Sequence, residues 1–472
     1  MKFLHKHIIL AACGLAFTAS SCVVGKKYQR EELHVPNEYR ETAALTGDTV
    51  LLPYRQFFQD PALVALIEKA LSKNNDVAVA MMSMEQLELS YKQAKKGLLP
   101  TVDFSAGANR NWLSKNSLNG SLSEQFLQSS YMDDYSATIK LSWEADIWGK
   151  VAMQKEDAKA NYFAQKENLS ALKTRIIVQV AQAYYNLLAL DEQLKVAERN
   201  VLLGDSTLSM IRLQYNSAQV NSLAVEQAEA QKKTAELLIP LAQQNIAIQE
   251  NALSILCGSY PAAVERANSI VTAVPSEVFP SGVPTVLLSR RPDVKAAEYA
   301  VVSANAKTGL AKANMYPTIS LSPSIGANSF KLNSWFDLPG SLVKNVGVNL
   351  AQPVFQKRQL RTAYEIAQIE QQKAAVQFKQ SVMVAVGEVS DALAKSKHAD
   401  ERLVLVEKKT ASLQKATNDA MLLYRSGMAT YLEVITAQNN ALQNQLEAIS
   451  IKVDKLNAVT ELYRALGGGV EE

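Results

Sequence analysis

The chain has 472 residues, with 49 Lys and Arg against 46 Asp and Glu and a net charge of +3. That balance gives no basic surface interleaved with aromatics, so the chain is not read as a nucleic-acid binder. Of three cysteines, one lies in an apolar leader and one at its end, which leaves no pair for a structural disulfide.

Lys2, His5, Lys6 and His7 form a basic head before the apolar run Ile8 to Phe17. That run is too short to span a bilayer as a permanent helix. Ala19, Ser20 and Ser21 follow, in the layout of an export signal with a cleavage site. A small residue before a cysteine, Ser21-Cys22, is the arrangement of a bacterial lipoprotein signal, in which the cysteine becomes the N-terminus and carries lipid. Two or more acyl chains anchor a protein stably. The box lacks the usual leucine at the third position before Cys22, and the competing reading is an ordinary signal with an incidental cysteine. Val23 stands where an inner-membrane retention aspartate would, which favours the outer membrane. The signal is therefore 1–21 and the anchored segment 22–59. Beyond the leader no apolar stretch reaches about 20 residues, so no transmembrane helix is expected. Cys257 reads as a small buried apolar residue.

Asp60-Pro61 is an N-cap followed by proline at the first helical position. The helix it opens is expected to run to about Lys96, ended by Gly97 and Pro100. The period then changes from 3.6 to 2. Val102, Phe104, Ala106 and Ala108 alternate with polar residues over 101–109, and Ala137, Ile139, Leu141 and Trp143 over 137–144. These are two half-apolar strands flanking a polar loop, 112–134. A helix of on the order of 95 Å follows from Lys150 to Gln214. A break at Asn216 to Asn221 leads to another helix, Ser222 to Leu256, carrying Pro240.

The program then repeats. Residues 284–313 read as helix, TISLSPSIGAN and NVGVNLAQPV as strands, 357–424 as a second very long helix and 431–465 as the last. One constant offset relates Tyr215 to Tyr424, Leu223 to Leu432, Val225 to Val434, Ala228 to Ala437 and Gly258 to Gly467. A duplicated unit of this size is an architectural signal. The repeats are 60–270 and 271–469, with a tail at 470–472.

Two repeats supply four strands. A sheet in a bilayer must have its edges closed, and outer-membrane barrels need at least eight strands. One chain cannot close a barrel, but several copies can; three would give twelve strands, a count the sequence does not force. The long helices, with broken heptads and many Ala, Gln and Lys, suit a curved wall wetted on both sides. A coiled-coil filament is the bland alternative, and it has no use for strand pairs at fixed places.

The chain resembles the TolC family of outer-membrane factors, in its lipoprotein branch, over nearly all of the mature sequence. VGKKYQR fits the family opening V-G-x-x-Y-x-R, and FFQDPALVALIEKAL its first helix. LSWEADIWGK (141–150) fits W-E-x-D-x-x-G-[KR]. LLSRRPDVKAAE (287–298), AKANMYPTISLSPSIG (311–326), QPVFQKRQ (352–359), YRSGMATYLEVITAQ (424–438) and LYRALGGG complete the set. In QPVFQKRQ, Lys357 replaces the usual glycine. The resemblance implies an internally duplicated α+β membrane protomer. It also implies a homotrimer with a twelve-strand β-barrel in the outer membrane, continued by a periplasmic α-helical barrel. Such proteins are passive efflux ducts for drugs or other small solutes, docking on a periplasmic adaptor and an inner-membrane RND-type pump. A protein-secretion exit duct of the same fold and a non-porous scaffold lipoprotein are the alternatives.

The breaks 215–222 and 424–431 are the expected periplasmic tips, with Tyr215, Ala218, Tyr424 and Gly427 as turn and adaptor-contact candidates. Glu433 matches a family aspartate that rings the narrow entrance, with Glu226 as a helper; charge rings of this kind select ions. The bland reading of Glu433 is a solvated surface residue. Ala218 stands where the second copy has Gly427, which points to a tighter or different first turn. Arg290 and Arg291 read as structural, pairing with neighbouring chains or loops, with Pro292 and Asp293 opening a helix. Trp143 and Trp148 fall at a strand end, at the bilayer interface, at the barrel-to-tunnel junction or in a core. Met81, Met82 and Met84 read as packing rather than copper ligands, and His34 and His398 lack metal-ligand spacing. No catalytic constellation stands out, so the chain is expected to be no enzyme, to hold no metal, and to need no cofactor beyond the lipid on Cys22.

Overall fold

The structure, a computed structural model, describes residues 24–30, 32–36, 39–40, 53–114, 116–273, 285 and 287–468. The leader and Cys22 lie outside the described residues. Contacts divide the chain into two compact units. The first holds 86–163 and 299–376; the second holds 32–85, 164–298 and 377–472. Each unit thus draws matching pieces from both sequence repeats.

In the second unit a short turn of helix, α1 (Tyr54–Phe57), precedes α2 (Pro61–Lys73). Asp60 caps α2 by accepting from the Ala62 N–H at 2.9 Å, and its other oxygen accepts from the Tyr184 hydroxyl at 2.8 Å. The expected single helix over 60–96 is two helices. Asn74 is extended, and its carboxamide oxygen accepts from the N–H groups of Asp76 and Val77, capping α3 (Asn75–Ala94). Its amide donates to the Leu256 carbonyl at 2.9 Å. An asparagine offering its own side chain to the backbone competes with helix continuation, and here it wins because both ends of the amide are satisfied.

α5 (Lys150–Asn216) and α9 (Gln359–Arg425) each have 67 residues, about 100 Å of helix. They contribute to both units. α6 (Ser222–Leu256) carries Pro240 without interruption. α10 (Tyr431–Ala465) is its counterpart and has the same length. The core of the second unit sets Leu63 and Ile67 of α2 against Ile177, Val180 and Tyr184 of α5, with Leu253 and Leu456. Phe57 stacks on Tyr463 with ring centres 4.4 Å apart.

Arg291 breaks the helix expected over 284–313 into α7 (Leu287–Arg290) and α8 (Pro292–Ala313). The residue before a proline is pushed out of the helical region. Arg291 is 3% exposed. It pairs with Asp293 at 2.6 Å and Glu388 at 2.7 Å, and donates to the Ala465 carbonyl. Arg464 holds the other oxygen of Glu388 at 3.0 Å. The expectation that this arginine pairs with neighbouring chains or loops is therefore corrected: it ties α8 to α9 and to the end of α10 in its own chain. A buried guanidinium must be paired, and three helices converge to do it.

The first unit holds the strands β1 (Thr101–Trp112), β2 (Tyr131–Glu144), β3 (Thr318–Ser329) and β4 (Leu342–Ala351). β1 and β2 run further than the alternation suggested. The polar loop between them contains a helix, α4 (Leu118–Leu127), capped by Ser117, which accepts from the Gly120 N–H.

Burial would raise the Asp293 pKa, but the hydrogen bonds and charge of Arg291 outweigh it and hold it below the usual carboxylate range. Stability from this carboxylate is thus present above the unfolded value of about 3.9 and lost as pH falls through the lower native value. Asp293→Asn should lower the denaturation midpoint at neutral pH and flatten its decline below about pH 4, measured by chemical denaturation across pH.

Candidate functional site

The sheet is antiparallel throughout, in the order β1-β2-β3-β4. Register carries the apolar pattern across it. Phe104 lies opposite Ile139, and Ile139 opposite Ile325; Leu321 lies opposite Val348 and Ile319 opposite Leu350. On the other face Asp103, Lys140, Ser324 and Asn345 form one row. The apolar face is bare: Phe104, Val346, Val348 and Leu350 are each at least 70% exposed. β1 and β4 are edge strands whose outer hydrogen-bonding rows have no strand partner among the described residues. Among the described residues no helix is long and apolar enough to cross a membrane. The sheet is the element suited to hydrocarbon.

Aromatic side chains mark both ends of the strands. Trp112 pairs in register with Tyr131 at the β1–β2 connection. At the opposite end the Trp143 indole donates to the Leu98 carbonyl at 2.9 Å. The Trp148 indole donates to the Pro317 carbonyl at 2.6 Å and packs on Tyr316. Their placement fits interfacial aromatics whose N–H needs a partner.

The motif WEADIWGK is a strand-to-helix corner. Glu144 pairs with Lys150 at 3.0 Å. Asp146 accepts from the Val151 and Ala152 N–H groups and so caps α5. Gly149 supplies a φ of +74°, a conformation that costs a side-chain-bearing residue about 1–2 kcal/mol. In the second copy Lys357 and Arg358 take φ values of +48° and +67°. The position where Lys357 replaces glycine is thus a site of backbone strain, with Arg358 secured to Glu365 at 3.1 Å.

The helix ends of the second unit form two turns of one design. After α5, the Ala218 N–H bonds to the Tyr215 carbonyl at 2.9 Å and the Gln219 N–H to the Gln214 carbonyl at 2.8 Å. After α9, Gly427 bonds to Tyr424 at 3.1 Å and Met428 to Leu423 at 2.8 Å. Both are Schellman turns. The expectation of a tighter or different first turn is corrected: Ala218 adopts φ +58° where Gly427 adopts +73°. The hydrogen-bond pattern demands the left-handed conformation at that position whatever residue stands there.

The tyrosines are not equivalent. Tyr424 is buried beside Leu208, Ile211, Ala224 and Val434, and its hydroxyl donates to the Gln214 side-chain oxygen. Burial pushes its pKa up. Tyr215 is 47% exposed. Glu433 and Glu226 are both exposed, outside the core. The Glu433 carboxylate accepts from the Thr430 N–H at 2.6 Å, so it closes the start of α10. In the first copy Ala224 stands in its place, and the Asn221 side chain accepts from the Ala224 N–H instead. This capping role is an addition to the sequence reading, although Thr430 three residues before Glu433 is its signal. A second addition is the buried Gln438 amide, which donates to the Thr207 hydroxyl at 2.8 Å and which no local pattern announces.

A duplicated chain with a bare-faced four-stranded sheet, edge strands left open and helices of this length is the protomer of an outer-membrane channel. Residues 66–259 and 283–468 match the sequence pattern described as outer membrane efflux protein. The chain belongs to that family. The cation efflux system protein CusC of Escherichia coli is 27% identical over 462 residues, covering 97% of this chain and 98% of CusC. The probable outer membrane lipoprotein SilC of Salmonella typhimurium is 27% identical over 468 residues, 98% of both chains. A crystal structure of CusC, solved in work on folding and transmembrane channel formation, superposes with a TM-score of 0.85 at 27% identity, over 95% of this chain and 100% of that one. The open state of the Neisseria gonorrhoeae MtrE outer membrane channel gives 0.85 at 26% identity, over 95% and 99%. The protein resides in the outer membrane and is an efflux exit duct of this family.

Ala218→Gly should relieve the first turn by about 1 kcal/mol, and Gly427→Ala should weaken the second by about as much. Hydrogen exchange at the Gln219 and Met428 amides reads both: slower at Gln219 in the first variant, faster at Met428 in the second. Equal exchange in both variants and the parent would contradict the turn assignment.

Proposed function

We propose that three copies of this chain close a twelve-strand barrel and continue it as a helical tunnel, forming a passive duct for small solutes. The observation that carries this reading is the sheet: four strands, one bare apolar face, two open edges. Eight strands is the smallest known closed barrel in an outer membrane, so the edges must meet other copies. The helix turns around Ala218 and Gly427, with exposed Tyr215, are the surfaces offered to a periplasmic adaptor, itself coupled to an RND-type inner-membrane pump.

The cargo class stays broad. Relatives at 27% identity include a cation efflux protein and a toluene efflux pump outer membrane protein from Pseudomonas putida. Equal similarity to both fits a duct whose selectivity is set by the pump it serves. Efflux relatives favour this reading over protein secretion, and the sheet favours it over a non-porous scaffold. Cys22 carries the lipid in this reading; Glu433, with Glu226, lines the entrance and biases it toward cations. No cofactor or catalytic step is required.

Purified oligomer should conduct in planar bilayers, and a detergent-stable oligomer without conductance would overturn the duct. Glu433→Lys should lower cation preference in the same recordings; Glu433→Gln separates this from the capping loss of about 1 kcal/mol, because it keeps a hydrogen-bond acceptor. Cys22→Ser should remove the lipid mass from the mature protein. Retention of that mass would refute the anchor.

A further inference from the structure

Lys344 is out of place on its strand. It is the third residue of β4, and its register partner on β3 is Ile325. Ile325 continues the row Phe104–Ile139. The neighbours of Lys344 on the same face are Leu342 and Val346, both exposed. An ammonium therefore stands within the apolar face, itself exposed. Among the described residues no hydrogen bond or ion pair reaches it. The other cation in line with this face, Arg110, is neutralised by a two-pronged bond to Asp133 at 2.6 and 2.8 Å.

A charge on a lipid-facing strand is costly at the bilayer mid-plane and nearly neutral at the interface. Lys344 lies next to the interface. β4 begins two residues earlier, and the β3–β4 connection before it exposes Phe330, Leu332, Phe336 and Leu338. Lys331 sits in that connection, with its ammonium 5.3 Å from the Phe330 ring centre. Apolar side chains beside two lysines match the boundary between acyl chains and headgroups, where lysine stems lie in hydrocarbon and the ammonium reaches outward.

The counter-charge does not come from protein strands. On β3 the facing residues are Ile325 and its same-face neighbours Pro323 and Ala327. In the closed barrel β4 meets the β1 edge of a second copy. The same face of β1 offers Val102, Phe104, Ala106, Ala108 and Arg110, with no carboxylate. Asp103 lies on the opposite face, opposite Lys140. Asp337 lines a surface cavity with Asp133 and Asp134.

We propose that Lys344, supported by Lys331, binds the phosphate of an outer-leaflet lipid headgroup on the outside of the barrel. This rests on the barrel reading above, since that reading turns the apolar face to lipid and the β3–β4 connection to the outer surface.

The test uses the full-length purified oligomer, with native mass spectrometry as it is titrated with bis-phosphorylated lipid A, with the same lipid dephosphorylated, and with inorganic phosphate as competitor. Lys344→Gln should weaken binding of the phosphorylated lipid about fivefold, the effect of one lysine near a charged lipid surface. Lys344→Arg should restore it, and Lys408→Gln on α9 should leave it unchanged. The dephosphorylated lipid should not distinguish the variants, and inorganic phosphate should not displace the lipid. Equal binding by Lys344→Gln and the parent overturns the site. Displacement by inorganic phosphate makes it a free-anion site and overturns the lipid assignment. Conductance keeps the two readings apart. If parent and Lys344→Gln conduct alike and bind lipid alike, only the lipid site fails. If the parent oligomer neither conducts nor inserts, the barrel fails and the site falls with it.

Discussion

A peptide N–H or C=O without a partner in hydrocarbon costs several kcal/mol, and β1 and β4 each carry a row of them along an outer edge. Four strands cannot curl far enough to join those edges to one another. The apolar face compounds the constraint, because Phe104, Val346, Val348 and Leu350 find no cover among the described residues of their own chain. Lipid covers such a face, and a second copy covers such an edge. The chain's architecture is arranged around these two needs.

The corners between sheet and helix show how the chain meets them. In WEADIWGK an indole anchors the strand end and a carboxylate caps 67 residues of helix. An ion pair braces the bend, and a glycine turns it. The second copy turns its junction with two left-handed residues, Lys357 and Arg358, where the first uses one. Duplication has kept a strand-to-helix junction while letting its backbone and chemistry drift. The helix turns behave alike. Ala218 and Gly427 share one hydrogen-bond pattern, yet Tyr424 is packed inside where Tyr215 is exposed, and Glu433 caps a helix that Asn221 caps in the other copy. Two half-units that differ at their turns give one protomer two kinds of helix turn.

Glu433 illustrates how a side chain can close a helix start and still stay in contact with solvent. One carboxylate oxygen is held by the Thr430 amide. The side chain is nonetheless exposed, so its charge still reaches the solvent around the turn. A cap also fixes the rotamer, and a fixed carboxylate is a better-placed charge than a mobile one.

Local pattern determined a great deal by itself. Period-2 alternation located all four strands, the absence of Pro and scarcity of Gly announced both long helices, and a constant offset exposed the duplication. Each of these follows from interactions between residues close in the chain, and so can be read along it. The break at Asn74 and the burial of Arg291 were decided elsewhere. Asn74 ends a helix because Leu256 offers a distant carbonyl. Arg291 is structural because Glu388 and Ala465 converge on it from other helices. The lone ammonium of Lys344 among apolar neighbours became visible only through strand register. Such features depend on groups brought together from far along the chain, and only the folded arrangement specifies which distant partner arrives.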